Sequence, residues 1–205
     1  MNLYKELQDK LSEHDPTDVD ELILDDLFTN VKEFTKENKQ DLEKYNNLIH
    51  LSLNGFGLES LNNFPSIPTL QVLELRNNKL SGRDLVKINT LFPELYKLKL
   101  GENSDIKLDD LSALKDSSIK KIELESTQVT QEKDYRDKVF EKIQNLEIVD
   151  NKTKDGDEVS STIYDEEEDG EFDEDDEFDE DGEFDEEEGE YDDEDDLDEG
   201  DDDEE

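Results

Sequence analysis

The chain contains no cysteine, no tryptophan and no run of 18 apolar residues. Without cysteine there can be neither disulfide bonds nor thiolate chemistry, which argues against a secreted disulfide scaffold. The first residues, Met1–Lys5, lead into an amphipathic pattern and not into the apolar core of a signal peptide. A membrane-spanning helix would need a longer apolar run than any present. These absences predict a soluble intracellular protein that does not bind a membrane.

Features typical of catalytic and cofactor sites are equally scarce. The histidines, His14 and His50, fall at a predicted helix end and on a predicted strand, with no recognisable nucleophile nearby. There is no glycine-rich phosphate loop and no Cys/His metal motif. The segment Glu177–Glu188 approaches a calcium-binding EF-hand loop but has no flanking amphipathic helices. We therefore interpret both histidines as surface residues and expect no enzyme activity, no cofactor and no specific metal site.

Acidic residues, in contrast, are extremely abundant at one end of the chain. Residues 155–205 contain 35 of the 65 Asp and Glu residues and none of the 22 Lys and Arg residues, so they carry −35 of the net charge of −43. Such a segment cannot bury enough apolar surface to offset its conformational entropy, and its charges repel one another. The sequence predicts a folded domain at 1–154 and a disordered tail at 155–205. The tail should bind basic proteins and not nucleic acid directly.

A leucine pattern of the form Leu-x-x-Leu-x-Leu-x-x-Asn-x-Leu recurs within residues 1–154. Its clearest copies are Leu70–Leu80 and Leu95–Ile106. The second apolar position of successive copies falls at residues 22, 51, 73, 98, 122 and 149. Each copy predicts one short strand followed by a helical or irregular segment. The pattern therefore predicts an α/β leucine-rich-repeat solenoid, right-handed, with a parallel concave sheet.

Both ends of this solenoid are predicted to be capped by helices. An N-terminal capping helix is predicted over residues 1–15, with leucines on one stripe and an end at Asp15-Pro16. A C-terminal cap is predicted over residues 130–150. Its apolar residues at helical spacing are Tyr135, Val139, Phe140 and Ile143.

Three segments carry a family resemblance together with the acidic tail: Asp18–Asp25, Leu73–Gly82, and the cap motif Asp134–Phe140 with Leu146–Asp150. With them the chain resembles the acidic leucine-rich nuclear phosphoproteins, which combine a short leucine-rich solenoid with a long Asp/Glu tail. The third segment alone also occurs in other leucine-rich proteins, including a spliceosomal subunit. The resemblance implies histone binding and chaperoning, masking of histone tails from acetylation, and inhibition of a serine/threonine phosphatase.

The leading hypothesis is a non-enzymatic histone chaperone and chromatin regulator, expected to be a monomer. The alternative is an inhibitor of a serine/threonine phosphatase, in which the solenoid docks the enzyme. A leucine-rich adaptor in RNA processing is disfavoured because such an adaptor needs no acidic tail. The resemblance also implies a nuclear protein that shuttles to the cytoplasm. However, the tail ends in Gly200–Glu205, without the basic import signal that several family members carry.

Aromatic residues recur within the tail at steps of six to eight residues. A ring flanked by carboxylates can fill an apolar pocket on a basic protein while its neighbours pair with Lys and Arg. Asp176–Phe178 resembles the acidic-plus-aromatic anchor of several unrelated histone chaperones; a repeat expanded by replication slippage is the alternative. Thr162, with acids after it, is a candidate kinase site. The candidate anchors are Phe172, Asp176, Glu177, Phe178, Phe184 and Tyr191.

On the predicted sheet, the concave face displays the residues beside the buried leucines. The charges there are of both signs, which suits recognition of a defined protein segment. An ordinary solvated sheet face is the alternative. The candidate partner-binding residues on this face are Glu74, Arg76, Lys97, Lys99, Lys121 and Glu123.

Overall fold

Seven short strands form one sheet in chain order in the computed structural model, which describes residues 15–27 and 30–159. The first six strands run parallel to their neighbours, and β7 is antiparallel to β6. The predicted leucine-rich solenoid with a parallel sheet is thus confirmed. The strands are β1 (Glu21–Ile23), β2 (His50–Ser52), β3 (Val72–Glu74), β4 (Lys97–Lys99), β5 (Lys121–Glu123), β6 (Ile148–Val149) and β7 (Lys152–Thr153).

The sheet register follows the repeat spacing. The central residue of each of the first five strands lies opposite that of its neighbour, the last residue of β6 continues this line, and all of them are buried. Because these side chains point into the core from every strand, truncating one of them typically costs about 2–5 kcal/mol. The aligned residues are Leu22, Leu51, Leu73, Leu98, Ile122 and Val149.

Helical segments lie in four of the six connections between strands, and the connection from β2 to β3 has none. The α-helices are α1 (Lys36–Leu42), α2 (Gly82–Leu91) and α3 (Tyr135–Lys142), and 3₁₀ turns occur at Pro16–Asp18, Leu108–Leu114 and Gln128–Gln131. Each of the first two α-helices begins at a capping side chain, as helices with unsatisfied N–H groups require. In the part of the chain that the structure covers, no helix is long and apolar enough to cross a membrane.

Asp84 illustrates how a helix cap also joins two repeats. Its Oδ2 accepts the backbone N–H of Ser81 at 3.3 Å, which caps α2. Its Oδ1 accepts the N–H of Leu61, in the preceding repeat, at 2.9 Å. Burial by itself would raise the pKa of Asp84. Both bonds stabilise the charged form of the carboxylate, however, and the pKa is lowered from its ordinary value.

Buried asparagines make a second connection between repeats. The Asn103 Nδ2 group donates to the carbonyl oxygens of Leu75 and Leu100 at 2.9 and 2.8 Å. Its Oδ1 accepts the N–H of Leu80 at 3.0 Å. Asn78 makes equivalent bonds to its own repeat and to the one before. Each asparagine therefore satisfies backbone groups that the turn would otherwise bury without partners.

The turn that follows each strand uses the left-handed backbone region. Five residues at equivalent repeat positions have φ between 51° and 70°: Asp26, Gly55, Asn77, Glu102 and Ser126. Gly55 is the one at which a side chain has no room, because a Cβ atom there would overlap the carboxylate of Asp26.

Three phenylalanines from successive repeats pack against one another beside the leucine core. The rings of Phe34 and Phe64 are stacked with centroids 4.7 Å apart, and Phe92 meets Phe64 edge to face at 5.7 Å. All three are buried. Such pairs add about 0.5–1.5 kcal/mol each beyond area burial.

The C-terminal cap is confirmed as α3, where Val139, and Ile143 directly after the helix, bury their side chains in the core. Asp150 fixes the end of the solenoid, since its carboxylate accepts the Leu124 N–H at 2.6 Å and the Tyr135 hydroxyl at 2.9 Å. The chain then turns into β7, and hydrogen bonds of this hairpin extend to Val159. The domain boundary at residue 154 stays a prediction. The N-terminal capping helix predicted over residues 1–15 lies outside the described part except for Asp15, and it stays a prediction.

Candidate protein-binding face

The concave face of the sheet carries two rows of side chains. Each of the first five strands contributes one residue on either side of its buried central residue, because alternate side chains point to the same face, and β6 contributes one residue. Five of the six candidate residues from the sequence therefore share one surface, and Arg76 follows the end of β3. The first row is Glu21, His50, Val72, Lys97, Lys121 and Ile148; the second row is Ile23, Ser52, Glu74, Lys99 and Glu123.

His50 lies between two carboxylates. Its Nδ1 atom is 2.7 Å from Glu21 Oε1, and its Nε2 atom is 3.3 Å from Glu74 Oε1. We call Glu21, His50 and Glu74 the histidine cluster. The His50 side chain is only 1% exposed, so its interpretation as a surface residue was wrong. Because Glu21 and Glu74 lie within hydrogen-bond distance of its two ring nitrogens, His50 can be buried. A histidine on a strand without such partners would remain exposed to water.

Charge in the histidine cluster is stabilised by hydrogen bonds. Burial alone would raise the pKa of Glu74, but bonds from His50, Lys99 and Asn54 lower it to about 2. The Lys99 Nζ atom is 2.9 Å from Glu74 Oε1. Burial alone would lower the pKa of His50, but the bonds to Glu74 and Glu21 raise it above its ordinary value. The cluster therefore favours an imidazolium between two carboxylates.

Asp25 supports the same region and was missed by the sequence interpretation. Its Oδ1 atom accepts the Ser52 hydroxyl at 2.6 Å and the Asn54 N–H at 2.9 Å. Asn54 in turn accepts the N–H of Arg76 at 2.8 Å. The signal was available, because Asp25, Asn54 and Arg76 occupy the same position after successive strands. Glu21 could have been found in the same way from its alignment with His50.

The side chain of Arg76, which follows β3, reaches towards the residues of β5 and the turn after it. Its guanidinium lies 2.8 Å from Glu123 and 3.7 Å from Glu125. Gly101 lies between them, and a Cβ atom there would come within 3.4 Å of the Arg76 Nε atom and 3.2 Å of a backbone oxygen. The absent side chain leaves room for this ion pair. Burial nevertheless raises the pKa of Glu123.

Lys97, Lys99 and Lys121 form a cationic cluster on β4 and β5, which we call the lysine triad. Lys97 lies directly opposite Lys121 across the strands, and Lys99 follows on the same side of β4. Lys97 is 7% exposed and Lys121 is 6% exposed. Burial lowers the pKa of both, and that of Lys97 is lowered further by Lys99 and Lys121. The face is therefore acidic and hydrogen-bonded around the histidine cluster and basic around the lysine triad.

The remaining candidate residues lie outside the described residues. The tail anchors and the kinase site therefore stay predictions: Phe172, Asp176, Glu177, Phe178, Phe184, Tyr191 and Thr162. Among residues 15–27 and 30–159, no group of three or more acidic or histidine side chains is arranged to hold a metal ion.

Comparison with known proteins gives the following relatives. The chain is 37% identical over 158 residues to an acidic leucine-rich nuclear phosphoprotein 32-related protein of Plasmodium falciparum, covering 76% of this chain and 55% of the relative. It is 36% identical over 117 residues to the acidic leucine-rich nuclear phosphoprotein 32-related protein 1 of Oryza sativa subsp. japonica, covering 57% of this chain and 25% of the relative. The chain thus spans about half or less of the length of these relatives.

A solved structure and a family model complete the comparison. A chain of the Drosophila melanogaster SNF/U2A′ complex superposes with a TM-score of 0.47 at 25% identity, covering 53% of this chain and 62% of that one. The leucine-rich repeat family model matches residues 34–167, which is more than half of the chain. This chain therefore belongs to the leucine-rich repeat family, and its relatives support its place among the acidic leucine-rich nuclear phosphoproteins.

Proposed function

We propose that this protein is a non-enzymatic histone-binding protein that acts in the nucleus as a histone chaperone and chromatin regulator. The observation that carries the proposal is the joining of a leucine-rich solenoid to a tail with 35 acidic residues and no basic ones. Relatives that resemble this chain are named nuclear phosphoproteins, which supports the nuclear location. Histones are abundant, strongly basic nuclear proteins, and such a tail attracts them over long range.

The tail and the solenoid have different roles in this proposal. Exposed ion pairs contribute only about 0–1 kcal/mol each, and they are screened over roughly 8 Å at physiological salt. The tail therefore supplies capture and a fast association rate, and its aromatic residues supply local anchoring. The solenoid is a rigid scaffold whose mixed-sign concave face binds a second protein segment.

Truncation after Val159 tests this division of roles. It removes residues 160–205 and keeps the hydrogen bonds of the C-terminal hairpin. We expect the truncated protein to bind histone dimers at least about tenfold more weakly at physiological salt, because long-range attraction and multivalent contact are lost together. Fluorescence anisotropy with each type of core-histone dimer, fluorescently labelled, measures the change. Full retention of affinity by the truncated protein would refute a tail-centred mechanism.

The alternative is inhibition of a serine/threonine phosphatase, and it rests on the family resemblance. In that case the solenoid docks the enzyme, so the protein truncated after Val159 keeps phosphatase binding while losing histones. A pull-down from nuclear extract with both forms separates the two functions. Loss of histones alone supports the chaperone, and a phosphatase retained by the truncated form supports the inhibitor.

A further inference from the structure

A second surface lies beside the concave face, at the edge of the sheet where the chain enters the strands. Two positions of each repeat border this edge: the residue directly before the strand and the third residue before it. Because β2, β3 and β4 are in register, these positions align across three repeats. They surround an open groove of about 460 Å³, which we call the edge groove. Its lining residues are Asn47, Ile49, Thr69, Gln71, Glu94 and Tyr96.

The polar side chains of the edge groove offer mainly hydrogen-bond acceptors. The Asn47 amide already donates to the carbonyl oxygen of Thr17 at 2.7 Å, and the Thr69 hydroxyl already donates to that of Leu48 at 2.8 Å. The side-chain oxygens of Asn47 and Thr69 therefore remain as acceptors for a ligand. Gln71 is exposed between them and adds an amide oxygen. A ligand that donates several hydrogen bonds suits this set of oxygens.

Glu94 supplies the charge of the edge groove. It is exposed, and it forms no ion pair within the part of the chain that the structure describes. Lys120 and Lys121 of the next repeat lie 5.9 and 5.4 Å from the centroid of the Tyr96 ring, but neither is among the described residues that line the groove. Lys120 is paired with Glu147 at 3.1 Å. The groove itself therefore carries one negative charge and favours a cationic ligand.

Apolar surface in the same groove restricts the kind of cation. Ile49 and Tyr96 are half-buried, so each leaves part of its side chain open to a ligand. An arginine side chain can lay its apolar stem along such a surface and stack its guanidinium on an aromatic ring. Its five donors can reach several separate acceptors, whereas lysine presents three donors at one point. The groove spans three strands, roughly 10 Å at ordinary spacing, which is wide enough for one such side chain.

We propose that the edge groove binds an arginine side chain in an extended segment of a partner protein. The negative charge of Glu94 attracts the guanidinium, the oxygens of Asn47, Thr69 and Gln71 accept its hydrogen bonds, and Tyr96 packs against it. The groove belongs to neither row of the concave face and does not involve the acidic tail. Failure of this proposal would therefore leave the proposed histone-binding function unaffected.

The first test uses the full-length protein and an acetylated hexapeptide with one arginine among glycines and serines, whose free carboxyl terminus makes it neutral. Backbone amide shifts are followed by NMR at physiological salt. We expect saturable shifts at residues 47–49, 69–71 and 94–96, which report on the groove and not on the tail. Peptides with citrulline or lysine in place of arginine should bind at least about fivefold more weakly, because citrulline lacks the charge and lysine lacks the planar set of donors. Equal binding of either peptide would overturn the proposal.

Two substitutions test the residues of the groove. Glu94→Gln should weaken binding of the arginine peptide about fivefold, because it removes the negative charge and keeps the shape. Gln71→Lys should weaken it at least as much, because it places a positive charge beside the guanidinium. As a control, Glu141→Gln removes a negative charge from an exposed position on α3 and should leave binding unchanged. Unchanged binding in Glu94→Gln, or an equal loss in Glu141→Gln, contradicts the assignment.

Thermal unfolding of the same variants separates binding from a structural role. Glu94 and Gln71 are both exposed, so the melting temperature of each variant should stay within about 3 °C of that of the unmodified protein while binding is lost. If both variants lose binding only together with a larger fall in melting temperature, these side chains serve the fold and the proposal is wrong. Loss of binding at an unchanged melting temperature supports the arginine site.

Discussion

Replacement of Glu74 by glutamine should destabilise the domain strongly and in a pH-dependent way. The Glu74 carboxylate accepts bonds from His50 Nε2 at 3.3 Å, Lys99 Nζ at 2.9 Å and Asn54 Nδ2 at 3.2 Å. Glutamine has nearly the same shape as a protonated glutamic acid. The substitution therefore measures what the negative charge contributes to the fold.

The expected magnitude follows from the pKa of Glu74. That pKa falls from an ordinary value of 4.5 to about 2, and each unit corresponds to about 1.36 kcal/mol. The charged form thus stabilises the fold by about 3 kcal/mol. Screening by solvent reduces this little, because the side chain is only 10% exposed. We expect Glu74→Gln to lower the free energy of unfolding by about that amount at pH 5.5.

The pH dependence has a definite sign on each side. The lowered pKa of Glu74 gives stability that is complete above pH 4.5 and is lost as pH falls towards 2. The raised pKa of His50 gives stability that is complete below pH 6.5 and is lost as pH rises through the folded-state value. The difference in the free energy of unfolding between the unmodified protein and Glu74→Gln should therefore be largest between pH 4.5 and pH 6.5. At pH 3 this difference should be about half as large.

Urea unfolding followed by circular dichroism measures this difference, since urea leaves charge interactions unscreened whereas guanidinium salt does not. The exposed Glu94→Gln removes the same charge as a control and should change the stability by less than about 0.5 kcal/mol. A loss below about 1 kcal/mol in Glu74→Gln at pH 5.5 would refute the reasoning, as would a loss that does not shrink on acidification.

Two further expectations concern the asparagine connection and the tail. Asn103→Ala leaves the buried N–H of Leu80 without its acceptor, so urea unfolding should show a free energy of unfolding lower by about 2–4 kcal/mol. The control Asn46→Ala, at an exposed position, should leave the stability unchanged. Equal losses of stability in the two variants would contradict the assignment. Changing three tail phenylalanines together to serine should weaken histone binding about tenfold in anisotropy without altering charge, and unchanged binding would mean that charge alone suffices. The phenylalanines are Phe172, Phe178 and Phe184, and the control replaces Gly170, Gly182 and Gly189 with serine.

The sheet register was predictable because one physical requirement repeats along the chain. A buried strand centre must be apolar, and the spacing of Leu51, Leu73 and Leu98 therefore fixes which residues lie opposite each other. Membership of the concave face follows from strict alternation within each strand. Both signals are local, so the sequence alone contains them.

The burial of His50 and the phenylalanine packing were not predictable in this way. A histidine on a strand has no burial signal of its own, since its environment depends on Glu21 and Glu74 in two other repeats. Phe34 and Phe64 lie outside the leucine motif, in segments whose length varies between repeats. To predict a contact between side chains of neighbouring repeats, one must first know the strand register and then how the side chains pack.

The antiparallel strand β7 limits how this solenoid can change in size. A new repeat would stack on its neighbour through a parallel strand. The outer edge of β6, however, is already paired with β7, and Lys152 of β7 pairs in turn with Glu158. Gene duplication or design could therefore lengthen the domain by insertion between internal repeats such as those of β3 and β4. Adding a repeat after β6 would first require removal of the β6–β7 hairpin. The solenoid therefore cannot gain repeats at this end while the hairpin is present.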